Sequence, residues 1–384
     1  MIPNGWRELN LSSISTKIGD GIHATPKYDE NGLFYFINGN NISEGKITFF
    51  DSTKKVNQSE FEKYKLPLSL RTILMSINGT IGNLARYRGE AVVLGKSAAY
   101  ININEDFCEN FAFHVLSSGT TQNHLMSELT GSTIKNLSLK TIRNAPLIAP
   151  SLPEQRRIAE ILTTWDRAIE TVEALIANAR AQRKALMQTL LLATKRLPGF
   201  SGSWRSEALG NLCKISKGEQ LGRLAMIDDG TIPVINGGVT PSGYTDRANT
   251  PGECITISEG GNSCGFVNMI TEPFWCGGHC YALKNLTADR SFLFASLKHR
   301  EAEIMTLRVG SGLPNIQKKA LSGFELNVPP RAEQEAIGRF ADTQDSVIVG
   351  LQAQLTAIRQ EKSALMQQLL TGKRRVKVTE TEDA

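Results

Sequence analysis

This chain of 384 residues contains no run of eighteen apolar residues. Its apolar stretches, such as Ala145–Ile148, are far too short to cross a bilayer. The start, Met1-Ile2-Pro3-Asn4-Gly5-Trp6, has neither a basic n-region nor an apolar h-region, so no secretory leader is expected. Cysteine is scarce. The six (Cys108, Cys213, Cys254, Cys264, Cys276, Cys280) follow no disulfide-framework spacing, which predicts reduced thiols and a cytoplasmic protein. No charge sign dominates either. The net charge is +5 overall: +2 over residues 1–150, +3 over 151–200, and zero over both 201–330 and 331–384. Such a mild excess is compatible with nucleic acid but does not identify it. With 41% hydrophobic and 21% charged residues the chain is expected to fold into two or three domains.

Catalytic and cofactor motifs are missing too. Gly89-Glu90-Ala91-Val92-Val93-Leu94-Gly95-Lys96-Ser97 approaches a phosphate loop, but five residues separate its glycines where four are needed, and it leads into a strand. No strand–Gly-x-Gly–helix unit for a dinucleotide or S-adenosylmethionine occurs. Asn327-Val328-Pro329-Pro330 only approaches the Asn/Asp-Pro-Pro-aromatic tetrapeptide of amino-methyltransferases. Cys254, Cys264, Cys276, His279 and Cys280 invite a zinc reading, yet lack a Cys-x2-Cys pair, and buried thiols account for them as well. We therefore expect no catalytic residue, no metal and no cofactor in this chain.

What the chain does have is an internal repeat. Glu154-Gln155 returns as Glu333-Gln334, Ile158 as Ile337 and Asp166 as Asp345. Ala185-Leu186-Met187-Gln188 returns as Ala364-Leu365-Met366-Gln367, all at an offset of 179 residues. Ahead of this constant part the halves match more loosely: Trp6-Arg7 with Trp204-Arg205, and Ile37-Asn38-Gly39 with Ile235-Asn236-Gly237, at 198. Between Ser76 and Ser258 the offset is 182.

The constant parts read as long helices. Ile158, Leu162, Trp165, Ile169, Val172, Ile176, Ala179, Leu186 and Leu190 recur at a/d heptad spacing, with Arg183 in a polar slot. The second copy places Ile337, Ala341, Gln344, Ile348, Leu351, Leu355, Ile358, Lys362, Leu365 and Leu369 in the same slots. Both helices begin at prolines; the first is expected to stop at Leu197-Pro198-Gly199 and the second at Gly372. Matching seams most simply pair with each other. Antiparallel pairing of two helices of about 60 Å would place the globular parts at opposite ends of a rod.

The variable parts read as mixed α/β, with strands at 33–37, 91–94, 99–103, 232–235 and 254–258 and helices at 107–128 and 290–308. The fold expected is therefore α/β (α+β): two globular domains separated by two long antiparallel coiled-coil helices in a pseudo-twofold repeat. The boundaries are 1–150, 151–197 (helix), 198–328, 329–372 (helix) and a flexible tail, 373–384. Polar loops offer candidate base- and phosphate-contacting side chains. In the first half these are Lys17, His23, Lys27, Tyr28, Asn38, Asn40, Asn41, Lys96, Ser132 and Lys135. In the second they are Lys214, Lys217, Asn236, Asn262, Gln317, Lys318 and Lys319. Each is also an ordinary turn residue.

The segment Pro150-Ser151-Leu152-Pro153-Glu154-Gln155-Arg156-Arg157-Ile158 and its echo Pro329-Pro330-Arg331-Ala332-Glu333-Gln334-Glu335-Ala336-Ile337, with the helix endings Lys184–Gln188 and Lys362–Gly372, resemble the specificity subunits of type I restriction-modification systems. The resemblance covers residues 3–372. It implies two target-recognition domains, each reading one half of a bipartite site in double-stranded DNA, with the helices setting the gap. It further implies modification subunits bringing S-adenosylmethionine, and a restriction/translocase subunit using ATP and Mg. A scaffold that joins two non-DNA ligand-binding domains, or a divergent enzyme, is the alternative that the residues alone leave open.

Overall fold

The computed structural model describes residues 2–129, 135–310, 312 and 314–378. Strands form where β-branched and aromatic residues are bounded by Gly, Asn and Ser. In the first half, β1 (Arg7–Asn10), β2 (Ser15–Asp20), β3 (Phe34–Ile37), β4 (Ile42–Ser43), β5 (Lys46–Ile47) and β6 (Lys55–Val56) precede the short α1 (Gln58–Lys63). Next come β7 (Thr72–Ser76), β8 (Leu84–Arg86), β9 (Val92–Leu94) and β10 (Ala98–Ile103). They are followed by α2 (Glu109–Ser117), α3 (Gly119–Ser127), α4 (Leu139–Asn144) and β11 (Pro146–Ala149). Among the described residues the central sheet has four antiparallel strands in the order β2-β10-β7-β8. β3 pairs with β9 in parallel and with β6 antiparallel. Strands β7, β9 and β10 are buried along their whole length, which is why they read as apolar runs and not as alternating patterns.

After the long helix α5 (Leu152–Leu191) the same plan returns. β12 (Arg205–Ala208), α6 (Leu209–Leu212), β13 (Lys214–Lys217), β14 (Ile232–Ile235), β15 (Tyr244–Thr245) and β16 (Cys254–Ser258) come first. Then follow β17 (Val267–Ile270), β18 (Trp275–Cys276), β19 (Cys280–Lys284), α7 (Arg290–His299), α8 (Glu301–Thr306), α9 (Lys318–Ser322), β20 (Glu325–Val328) and α10 (Arg331–Leu369). The sheet β13-β19-β16-β17 copies β2-β10-β7-β8, and β14 pairs in parallel with β18 as β3 does with β9. β12 pairs with β20 as β1 does with β11.

Two of the expected helices are each a pair. The stretch 107–128 breaks at Ser118, whose extended backbone ends α2 and whose hydroxyl caps α3 through the Thr121 amide. The stretch 290–308 breaks at Arg300, between α7 and α8. Helix α5 ends at Leu191, earlier than the expected Leu197, because Ala193 adopts φ +55° and Lys195 N–H bonds back to the Thr189 carbonyl. The second helix repeats this turn with Gly372 at φ +67° and Arg374 N–H to the Gln368 carbonyl.

The chain divides into unit 1 (Met1–Thr171 with Leu355–Ala384) and unit 2 (Val172–Gln354), a division that falls inside both long helices. Within unit 1, Glu154 meets Arg375 and Asp166 meets Lys362, so α5 and α10 run antiparallel. Within unit 2, Arg183 meets Asp345 and Arg196 meets Glu333, again antiparallel. Each pair in one unit is the other unit's pair with the roles exchanged at the 179-residue offset. The polar seam slots Arg183 and Lys362 thus each find the repeat's aspartate, which selects one register.

The seam residues Ile158, Leu162, Val172, Ile176, Leu190, Ile337, Ala341, Ile348 and Leu369 are buried; Trp165, Ile169, Leu351, Leu355, Ile358 and Leu365 are half-buried. Leu186 departs from the expectation: it is 39% exposed, while Met187 beside it is 4% exposed. Met187 joins the unit 2 core that includes Leu209, Phe292 and Ile337. One residue turns a helix by about 100°, so packing on the globular core re-aims the inward face there. In unit 1, Ile158 and Leu162 are fully buried with Leu369 and Phe111; burial of this kind is worth about 1.5–3 kcal/mol per side chain.

The repeated Glu-Gln pair joins helix to sheet domain. Gln155 Oε1 accepts the Cys108 N–H ahead of α2 at 3.0 Å, and its Nε2 donates to the Pro150 carbonyl at 3.0 Å. Gln334 does the same with the Asp289 N–H ahead of α7 (2.9 Å) and the Pro329 carbonyl (2.8 Å). Glu154 and Glu333, both buried, take the Arg375 and Arg196 guanidinium forks.

Candidate nucleic-acid interface

In unit 1 the loops that leave one end of the central sheet are tied into a single surface. The Ile22 N–H bonds to the Leu94 carbonyl at 2.7 Å, Ser97 Oγ donates to Asn38 Oδ1 at 2.9 Å, and Gly39 N–H donates to Ser97 Oγ at 2.9 Å. Thr80 Oγ1 reaches the Gly39 carbonyl at 3.0 Å, and Ile77 bonds both to Ser97 and to Leu137 through its main chain. Gly21 is required here: a Cβ would lie 2.2 Å from the Leu94 carbonyl oxygen.

Unit 2 builds the same arrangement from different residues. The Glu219 N–H bonds to the Cys276 carbonyl, the His279 N–H donates to Asn236 Oδ1 at 3.1 Å, and Ser263 Oγ reaches the Gly237 carbonyl at 2.6 Å. Glu259 bonds through its main chain to His279 and Ile316, as Ile77 does to Ser97 and Leu137. Gly218 repeats the close approach of Gly21, against the Cys276 and Gly277 carbonyls.

The candidates divide by place. His23, Asn38, Asn40, Lys96 and, through the Asn78–Asn136 bridge next to it, Lys135 gather at the unit 1 loop end; all are exposed except the half-buried Asn38. Lys217, Asn236, Asn262 and Gln317 gather at the corresponding end of unit 2. Lys17 sits within β2 opposite Asn102, and Lys214 opens β13 opposite Lys284, so neither lies at the end where the loops leave. Lys27 and Tyr28 belong to the β3–β6 side, where Tyr28 bridges Val56 and tilts against Phe36. Lys318 and Lys319 are exposed in the first turn of α9, next to Gln317. Ser132 lies outside the described residues.

Asn41 corrects an expectation: it is 4% exposed and turned inward. Its Oδ1 accepts the Asn38 N–H and its Nδ2 donates to the Thr48 carbonyl and Thr53 Oγ1, which uses its hydrogen-bonding capacity on the turn. The residues the sequence did not single out are the fasteners Ser97, Thr80 and Ser263, and Glu259. No local pattern marks them, since Ser97 and Thr80 bond to partners 59 and 41 residues away.

The second-half cysteines are buried. Burial raises the Cys213 thiol to about 12 and Cys254 to about 11. The Cys276 and Cys280 thiols are both free, and a hydrogen bond between them lowers Cys276 and raises Cys280. Among the described residues no group of three or more His, Cys, Asp or Glu is placed to hold a metal ion, and the His279 side chain is 62% exposed. In unit 1, His114 is fully buried beside Arg86, Asp166 and Lys362; burial, with Arg86 nearby, lowers it to about 3. No helix among the described residues is long and apolar enough to cross a membrane.

A family model described as the type I restriction modification DNA specificity domain matches residues 3–179 and again 202–358. A Methanocaldococcus jannaschii protein, provisionally named as the MjaX type I restriction enzyme specificity subunit, is 25% identical over 98% of this chain and 95% of its own length. The EcoKI specificity subunit of Escherichia coli K12 is 21% identical over 53% of this chain and 45% of its own. The crystal structure of a type I restriction-modification S subunit from M. genitalium superposes with a TM-score of 0.68 over 96% of this chain and 98% of that one, at 18% identity, and thus shares the fold. The twofold match, its two segments falling on the two halves of the repeat, places this chain in the type I restriction-modification DNA specificity family.

Proposed function

We propose that this chain is the sequence-specific DNA-binding subunit of a type I restriction-modification complex. Each unit reads one half of a bipartite site, and the α5–α10 pair sets the gap between halves. The observation that carries this is that one hydrogen-bonded loop frame occurs twice with different side chains on it. Asn38 and Asn236 are common to both copies, whereas Ser97 and Ile77 in one stand where His279 and Glu259 stand in the other. A repeated frame with changed polar side chains is what reading two different half-sites requires, since amides and lysines discriminate base edges by donor and acceptor pattern.

The chain is non-catalytic in this reading. Adenine methylation and restriction belong to partner subunits, which bring S-adenosylmethionine, ATP and Mg. Those subunits also share phosphate contacts, which fits a net charge of only +5. The test is co-expression with the modification subunit encoded at the same locus, followed by single-molecule sequencing of host DNA. A methylated bipartite motif with a fixed gap is expected. A stable complex that leaves no such motif refutes the reading.

A further inference from the structure

The two loop frames differ in charge at one equivalent position. Ile77 N–H bonds to the Ser97 carbonyl and its carbonyl receives the Leu137 N–H; Glu259 makes these same two bonds with His279 and Ile316. Unit 1 therefore has an aliphatic side chain where unit 2 has a carboxylate. That carboxylate is 12% exposed and firmly held. Its Oε1 accepts from Lys217 Nζ at 2.6 Å, and the Tyr281 hydroxyl lies 3.1 Å away, its one proton shared with the Ile316 carbonyl at 3.0 Å. The nearest ring nitrogen of His279 lies 3.7 Å from Oε2, beyond hydrogen-bond length, so Oε2 keeps acceptor capacity. Lys217 and His279, at 52% and 62% exposure, form the solvent side of the group.

A carboxylate at a DNA-facing loop end is repelled by phosphates and by the acceptor atoms of guanine N7 and O6 and thymine O4. The exocyclic amines, cytosine N4 and adenine N6, are the major-groove donors that attract it. Held by Lys217 and Tyr281, it needs little further ordering to make that bond.

We propose that Glu259 is a specificity-determining residue of unit 2, accepting a hydrogen bond from the exocyclic amine of one base in the major groove while Lys217 fixes the carboxylate in place. This rests on the DNA-reading function above. Ile77 makes no such bond, so the two half-sites are read by different chemistry at equivalent places.

The test uses the chain in complex with its modification subunits. Methylated sites are mapped for wild type and Glu259→Ala. In the variant, one position fixed as C or A in one half-site becomes degenerate, with the gap and the other half-site retained; the identity of that base tells cytosine from adenine. The same complexes are then titrated with duplexes in which single adenines become purine, or single cytosines become 2-pyrimidinone, each lacking only the amine. Wild type loses roughly 5- to 150-fold at one position and Glu259→Ala loses nothing further there. Glu259→Ser replaces the alanine variant if that one does not fold. A wild-type complex without a bipartite motif overturns both readings. A motif unchanged in the variant, or a uniform loss of affinity with the same amine dependence, overturns this inference alone.

Discussion

Gln334 fastens a helix to a globular domain with two hydrogen bonds, and removing them is a direct test of how the units are built. Its side chain is 6% exposed; Oε1 takes the Asp289 N–H at 2.9 Å and Nε2 gives to the Pro329 carbonyl at 2.8 Å. Gln334→Ala leaves one buried donor and one buried acceptor without partners. At about 1–3 kcal/mol per orphaned group, the expected loss is about 2–6 kcal/mol. In a unit near 180 residues, each kcal/mol moves Tm by about 2–4 °C, so the unit 2 transition should fall by about 4–24 °C. Gln155 makes the same two bonds at 3.0 Å each and is 1% exposed, so Gln155→Ala should cost unit 1 a similar amount. Gln334→Glu, the same shape, should cost at least as much, because it sets a buried carboxylate oxygen against a carbonyl. Differential scanning calorimetry of the full chain reads all three. A loss below about 1 kcal/mol for either alanine variant would refute the claim that these glutamines fasten helix to domain.

Three further outcomes follow from other contacts. Reversing the seam pair as Arg183→Asp with Asp345→Arg should restore most of what either single change loses in thermal unfolding. The Asp166→Lys with Lys362→Asp reversal should restore less, because Arg86 also contacts Asp166; equal rescue in both would contradict this. At the helix ends, Gly372→Ala should lose at least about 1 kcal/mol, since φ is +67° and the new Cβ would lie 2.5 Å from Pro3 Cγ. Ala193→Gly, at φ +55°, should gain up to about 1 kcal/mol by urea denaturation, and a loss there would count against the turn described. His114, lowered to about 3 in the fold, stays neutral where the unfolded chain takes up a proton. Stability from this group is therefore complete above pH 6.5 and falls on acidification, by about 2 kcal/mol between pH 6.5 and pH 5. The difference should vanish in His114→Gln, measured by denaturation at both pH values.

Much of the architecture was legible because it is periodic. A heptad seam is a local pattern and a fixed 179-residue offset repeats it, and Ile158, Leu162, Ile337 and Ala341 fall inside as the spacing requires. The seam failed only at Leu186, where the helix packs on a globular core that its own spacing does not encode. The breaks at Ser118 and Arg300 were missed because apolar spacing continues across them while the backbone does not.

The sequence by itself determined the repeat, which shows when one stretch is laid on another, and the two long helices and the mixed α/β character of the parts between them, which depend on residues close together in the chain. Only the tertiary structure decided which polar residues stand together. Arg196 and Glu333 are 137 residues apart, and Arg375 and Glu154 are 221 apart. Asn41 and Asn40 are neighbours in one loop, yet one is spent inside a turn and the other faces solvent. Glu259 gained its place beside Lys217 and Tyr281 from sheet pairing across β13, β16 and β19. Composition names the donors and acceptors a loop contains; which of them remain free is set by the long-range hydrogen bonds that claim the rest.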